Sequence, residues 1–181
     1  MNLGLRYQNS TKKTLTIEQL KNVQFYFDTL EEQISEGKGL FLWGSNGTGK
    51  SYIASILCKQ VWSDYRVSSY MVTASEVKDS FIKEIPANKD SSELMRDRIL
   101  SVRFLVLDDV GTEYRTNSGF FETQFEILLR QRIREKLTTL LTSNVNPKDL
   151  ISIYGESAVS LMKEATYPIK LVGDDWRGKK V

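Results

Sequence analysis

The sequence predicts an α/β fold in which a mainly parallel, five-stranded sheet carries helices on both faces, a three-layer sandwich. Three observations predict it. Short apolar runs alternate with longer amphipathic segments. A glycine-rich octapeptide, Gly44-Ser-Asn-Gly-Thr-Gly-Lys-Ser51, separates the first apolar run from a helical pattern. The run Phe104-Leu-Val-Leu107 is apolar throughout, as a strand covered on both faces must be, and it ends in Asp108-Asp109.

Each element has its own signal. Residues 1–15 are polar and read as an arm. Thr16-Ile-Glu-Gln19 is a capping-box pattern, and Ile17, Leu20, Val23, Phe27, Leu30 and Ile34 follow at helical spacing. That helix is expected to stop at Glu36-Gly-Lys-Gly39, where glycine suits a C-cap. A strand over 40–43 precedes the octapeptide, and Ile53, Leu57, Cys58 and Val61 make one apolar helical face after it. A second strand is predicted over 67–72. Helical segments follow around 75–85 and 92–101, separated by an exposed loop at 86–90. Beyond the third strand, a helix over 118–136 leads into a strand over 138–142. A short helix and a strand over 169–172 close the pattern.

Composition excludes several chemistries. At 181 residues the chain suits one domain with a proper core, and 40% hydrophobic and 27% charged residues are ordinary for a globular protein. A net charge of +2 makes no overall electrostatic case for nucleic acid. With no histidine there can be no His-based triad or His-containing zinc site, and the single cysteine, Cys58, excludes an internal disulfide. No apolar run approaches a membrane span and the N-terminus lacks a signal-peptide core, so the expected location is cytoplasmic, with no membrane partner.

The octapeptide meets the pattern G-x-x-x-x-G-K-[ST] through Gly44, Gly49, Lys50 and Ser51. Glycines let backbone N–H groups curl around phosphate oxygens, and the following helix adds its positive N-terminal end. Ser45, Asn46, Gly47, Thr48 and Tyr52 complete the candidate nucleotide-binding stretch. In such a loop Lys50 reaches the β- and γ-phosphates and the Ser51 hydroxyl holds Mg²⁺, so the expected cofactors are ATP and Mg²⁺. The apolar run before Asp108-Asp109 delivers carboxylates to a strand's C-terminal edge. Asp108 suits Mg²⁺, and Asp109 suits the orientation or deprotonation of an attacking water. Asn144, at the end of the fourth strand, either senses the nucleotide or starts the Asn-Val-Asn-Pro turn.

On these residues the chain resembles the AAA+ ATPase domain of bacterial helicase loaders of the DnaC/DnaI type, and the related IstB transposition ATPases. The resemblance runs from Arg6-Tyr7 to Arg177. It rests on GKGLFLWGSNGTGKS, FLVLDDVGTE, LLTSN and the closing Gly173-x-x-x-Arg177. It implies sheet order 5-1-4-3-2, an ATPase domain over 16–177 with no separate lid domain, and a basic tail over 178–181. It assigns Asp108 to Mg²⁺, Asp109 to the catalytic acid position and Asn144 to sensor 1. Glu113 is a further carboxylate that either assists or faces a neighbouring subunit. Arg132 continues the apolar stripe Phe121, Phe125, Leu128, Leu129. It either pairs with a carboxylate near the nucleotide or at a subunit contact, or snorkels at the helix end. The helical insertion carries Lys78, Phe81 and Lys83, candidate contacts to single-stranded DNA, although interspersed acidic residues fit a solvated mixed-charge face equally.

The resemblance implies an ATPase acting in DNA replication, with a replicative helicase or a fuller loader as partner, single-stranded DNA as a further ligand, and self-association into a spiral or ring. Two departures open other readings. Only a short arm precedes the first helix, and the family's Ser-Arg step, whose arginine serves a neighbour's ATP, reads Ser160-Leu161 here. These favour a loader-like adaptor or inhibitor that needs a partner's arginine; an IstB-like transposition helper is the remaining alternative.

Overall fold

The computed structural model describes residues 7, 9–82, 89–113 and 119–175. Its five strands, β1 (Gly39–Trp43), β2 (Ser69–Thr73), β3 (Phe104–Asp108), β4 (Thr138–Ser143) and β5 (Thr166–Lys170), pair in the order β2-β3-β4-β1-β5. Every pairing is parallel, and the order is the one the family resemblance implies. The helices are α1 (Ile17–Asp28), α2 (Leu30–Glu36), α3 (Lys50–Tyr65), α4 (Ala74–Ile82), α5 (Lys89–Ser101), α6 (Phe120–Arg134) and α7 (Ile151–Ala165), with a 3₁₀ turn at Lys12–Thr14. Side chains of α1–α3 form one core against Leu40, Leu42, Phe104, Val106 and Leu140. Those of α4–α7 form the other against Phe41, Leu105, Leu107 and Leu141. The alternation of strand residues between the two cores is the period of two expected of a sheet covered on both faces. Among the described residues, no helix is long and apolar enough to cross a membrane.

Three boundaries differ from the sequence reading. The first helix is two: Thr29 breaks it, with φ −112° and ψ 20°, and its hydroxyl donates to the Phe25 carbonyl one turn back at 2.8 Å. The final strand begins three residues early because it runs through Pro168, which is tolerated on an edge strand. The helix before it is 15 residues long and kinks at Gly155, where φ is 84° and ψ 164°. The expected arm is partly anchored. Ser10 is buried, Ser55 Oγ lies 2.8 Å from Ser10 Oγ, and Lys59 Nζ donates to the Ser10 carbonyl at 2.8 Å. Residues 1–6 and 8, the loop residues 86–88 and the basic tail 178–181 lie outside the described residues.

Arg132 corrects a sequence expectation. It is fully buried, and among the described residues no carboxylate pairs with it and it lies away from the octapeptide. Its guanidinium donates to the carbonyls of Ile99 (2.7 Å) and Val102 (3.0 Å) at the end of α5, to Thr138 O (2.8 Å), and to Thr139 Oγ1 (2.8 Å). A cation at a helix C-terminus is favourably placed, and here carbonyl dipoles replace the expected carboxylate. Burial pulls its pKa from 12.5 down to about 9, which still leaves it charged at neutral pH. The residue therefore fastens α5, α6 and the start of β4 at the end of the sheet remote from Asp108. Replacing Arg132 by Met would leave those acceptors dry. Chemical denaturation is expected to show a loss of about 3–5 kcal/mol.

Candidate functional site

The octapeptide leaves β1 and turns into α3 through three glycines in left-handed backbone space, Gly44 (φ 143°), Gly47 (77°) and Gly49 (93°). Conformation and crowding both demand glycine. A Cβ on Gly44 would lie 2.2 Å from Leu171 O. One on Gly47 would lie 1.8 Å from Asp175 Oδ1, and one on Gly49 2.5 Å from Gln19 Nε2. Lys50 is buried, and its ammonium donates to the carbonyls of Gly44 (2.9 Å) and Ser45 (2.7 Å); the Thr48 hydroxyl donates to Ser45 O at 3.0 Å. Ser45 and Asn46 are exposed at the loop tip. The Tyr52 Oη accepts from Thr11 N–H of the arm at 3.4 Å.

The second half comes from the C-terminal ends of β3 and β4. Thr142, part of the LLTSN run but assigned no role from sequence, organises it. Its hydroxyl donates to Asp108 Oδ1 at 2.6 Å and accepts from Asp109 N–H at 3.0 Å. The Ser51 hydroxyl lies close enough to Asp108 to favour its carboxylate, so the two expected Mg²⁺ ligands are neighbours. Asp109 holds φ 57°, a conformation uncommon outside glycine though eased for Asp. Its carboxylate accepts from Asn144 Nδ2 at 3.2 Å. Burial pushes the Asp108 carboxyl above its ordinary value; the hydrogen bonds from Thr142 and Ser51 oppose that shift, Asp109 adds to it, and Lys50 counters it. Lys50, Ser51, Asp108, Asp109 and Asn144 are thus brought to one place.

Other expected site residues are not. Glu113 neither assists at Asp109 nor faces a neighbour: it is 8% exposed, its carboxylate takes the Tyr154 hydroxyl and the Gly111 N–H (2.9 Å), and it braces the turn after β3 from inside. Lys78 and Phe81 are 5% and 9% exposed and join the α4–α6 packing, with Lys78 Nζ 5.9 Å from the Phe121 ring centroid, so neither presents a DNA contact. Arg96, in the same insertion, caps α4 through the carbonyls of Ser80 (2.9 Å) and Phe81 (3.1 Å). Lys83 lies outside the described residues.

The glycine cradle and the Ser51–Asp108 contact fit a nucleotide with Mg²⁺: open N–H groups and a lysine for phosphates, a hydroxyl and a carboxylate for a hard cation. Fold and site together have the architecture of a P-loop domain, with the strand order that the AAA+ resemblance implies.

Comparison with known proteins agrees with the loader resemblance. The chain is 28% identical over 160 residues to the replicative helicase loader DnaI of Bacillus subtilis, covering 80% of this chain and 49% of that protein. The chain therefore spans about half the length of that curated relative. In structure it is similar to the DnaC helicase loader (TM-score 0.80, 23% identity, 93% of this chain and 99% of the other). It is also similar to a replication initiator DnaA bound to AMPPCP and single-stranded DNA (TM-score 0.71, 18% identity, 88% and 48%). No family model matches the sequence.

Two substitutions probe the site. Asp108→Asn keeps an acceptor for Thr142 while removing a buried charge. The folded carboxyl binds its proton more tightly than the unfolded one, so its charged form costs stability at neutral pH. That cost fades as pH falls through the raised folded value toward 3.8. Asp108→Asn is expected to raise the melting temperature at pH 7, with the gain shrinking on acidification, and to abolish Mg²⁺-dependent nucleotide binding. Asp175 sets a carboxylate on Gly47. Gly47→Ala would drive a Cβ to 1.8 Å from Asp175 Oδ1 at φ 77°, and is expected to weaken Mg²⁺–nucleotide binding about 10-fold, read by equilibrium titration.

Proposed function

We propose that the chain binds ATP with Mg²⁺ and hydrolyses it as a helicase-loader-like AAA+ ATPase acting in DNA replication, with a replicative helicase or a fuller loader as its protein partner. The observation that carries this reading is the convergence of Ser51, Asp108, Asp109 and Asn144 beside Lys50. A purely structural glycine turn has no use for a buried carboxylate shared between a P-loop serine and a strand threonine.

The roles divide by position. Backbone N–H groups of residues 45–49 and the ammonium of Lys50, once released from its carbonyls, hold the phosphates. Ser51 and Asp108 hold Mg²⁺, which supplies charge neutralisation at the phosphates. Asp109, oriented by Asn144, holds the attacking water and accepts its proton. Single-stranded DNA is a further proposed ligand, supported by the DnaA likeness; Lys78 and Phe81 do not contribute to it.

A second reading has its own observation. Leu161, at the position of the family's trans-acting arginine, is 8% exposed and packed in the α4–α7 core, so this step of α7 offers a neighbour no cation. On that reading turnover waits for a partner's arginine, whose contribution reaches about 10³–10⁵ in rate. Steady-state ATP hydrolysis against protein concentration, with and without single-stranded DNA and with Lys50→Ala as blank, separates the two. A rate climbing faster than linearly is expected if the chain completes its own sites. Binding without turnover above the blank would leave the partner-dependent reading standing.

A further inference from the structure

We propose that Gln19 is a positioning residue for the phosphate loop, distinct from its role as a helix cap; the inference rests on the nucleotide-binding reading above. Both ends of its carboxamide are engaged. Oε1 accepts from Thr16 N–H at 3.0 Å and the Thr16 hydroxyl accepts from Gln19 N–H at 3.2 Å, which closes the capping box of α1. Nε2 points the other way and donates to the Thr48 carbonyl at 2.8 Å, across 29 residues of sequence. Capping needs only the oxygen. The nitrogen contact is an addition to it, and it falls on the peptide that opens α3.

The geometry of that peptide gives the contact its consequence. Thr48–Gly49 is trans, so its C=O and N–H point in opposite directions. Anchoring the Thr48 carbonyl on α1 therefore aims the Gly49 N–H away from α1, toward the opposite side of the loop. Two further side-chain bonds lie within the loop: Thr48 Oγ1 and Lys50 Nζ both donate to Ser45 O. Gln19 is packed so closely that a Cβ on Gly49 would meet its nitrogen at 2.5 Å. The loop is thus held in its phosphate-receiving shape by an amide from another helix, and α1 cannot shift without turning the Thr48–Gly49 peptide.

Two variants separate the roles. Gln19→Glu keeps an oxygen for Thr16 N–H, and Glu is an accepted capping-box partner, but it has nothing to donate to Thr48 O. Thr16→Ala weakens the cap and leaves the Nε2 contact alone. Gln19→Glu is expected to hold the melting temperature of the nucleotide-free protein near wild type, to speed amide exchange over residues 44–49, and to weaken Mg²⁺–ATP binding about 10-fold. Thr16→Ala is expected to lower the melting temperature by about 2–4 °C with affinity within about 2-fold of wild type. The added charge of Gln19→Glu is controlled by salt: a deficit that persists at high ionic strength is positional, and one that vanishes is repulsion and overturns the proposal. Unchanged loop exchange in Gln19→Glu overturns it as well, whatever the affinity. Wild-type binding no tighter than Lys50→Ala would overturn the nucleotide reading and this inference together.

Discussion

The parallel register of β1, β4 and β3 is the constraint on which the site depends. Leu42 lies opposite Thr142, Trp43 opposite Ser143, and Leu107 opposite Leu141. That alignment puts the first residue of the glycine loop, the carboxylate ending β3 and the amide ending β4 at one edge. The ladder continues into the loops themselves: Gly44 N–H donates to Ser143 O at 3.2 Å and Val110 N–H to Thr142 O at 2.8 Å. Because the three strands are buried on both faces, their ends are held with the rigidity of the core. A slip of one residue would turn Thr142 and Asp108 to opposite sides of the sheet.

Within that frame the site accepts local costs. Asp108 is a carboxylate in a desolvated place, and Asp109 occupies left-handed backbone space. One hydroxyl offsets both, since Thr142 Oγ1 donates to the first side chain and accepts from the second backbone N–H. Ser143 repeats the device one residue on, donating to Val110 O at 2.6 Å and accepting from Val145 N–H at 3.0 Å. These two buried hydroxyls at the C-terminal end of β4 are thus the fittings that let β3 turn sharply after its carboxylates. Strain concentrated at such a turn is ordinary for a functional site, where surrounding bonds over-determine it.

What could be read from the sequence was local. The glycine loop, the all-apolar strand ending in two acids, and the capping box each occupy a few consecutive residues, and local chemistry alone produces them. What could not be read was tertiary. Arg132 was expected to pair with a carboxylate and Lys78 to meet DNA because a sequence shows charge and not the carbonyls or rings that surround it. Glu113 looked available for the same reason, its partner Tyr154 being 41 residues away. Pro168 displaced the expected last strand because edge position, which excuses a proline, is a property of the whole sheet. Gln19 was visible as a cap, yet nothing near it in sequence signals Thr48. The Thr142-Ser143 pair carried an overlooked signal, two hydroxyls following Leu140-Leu141 in a strand buried along its whole length.

Charge balance bears on how the proposed ATPase would complete its chemistry. Lys50 brings one cation to the phosphate loop beside the carboxylates of Asp108 and Asp109. On the proposed reading, Mg²⁺ held by Ser51 and Asp108 would offset part of their charge, and loop N–H dipoles part of the nucleotide's. Phosphoryl transfer would spread further negative charge over the departing oxygens, which a further cation stabilises. Leu161 faces the core, so α7 does not send one outward from that step. If the chain works as proposed, a cation contributed on assembly would supply that compensation and couple turnover to the presence of a partner.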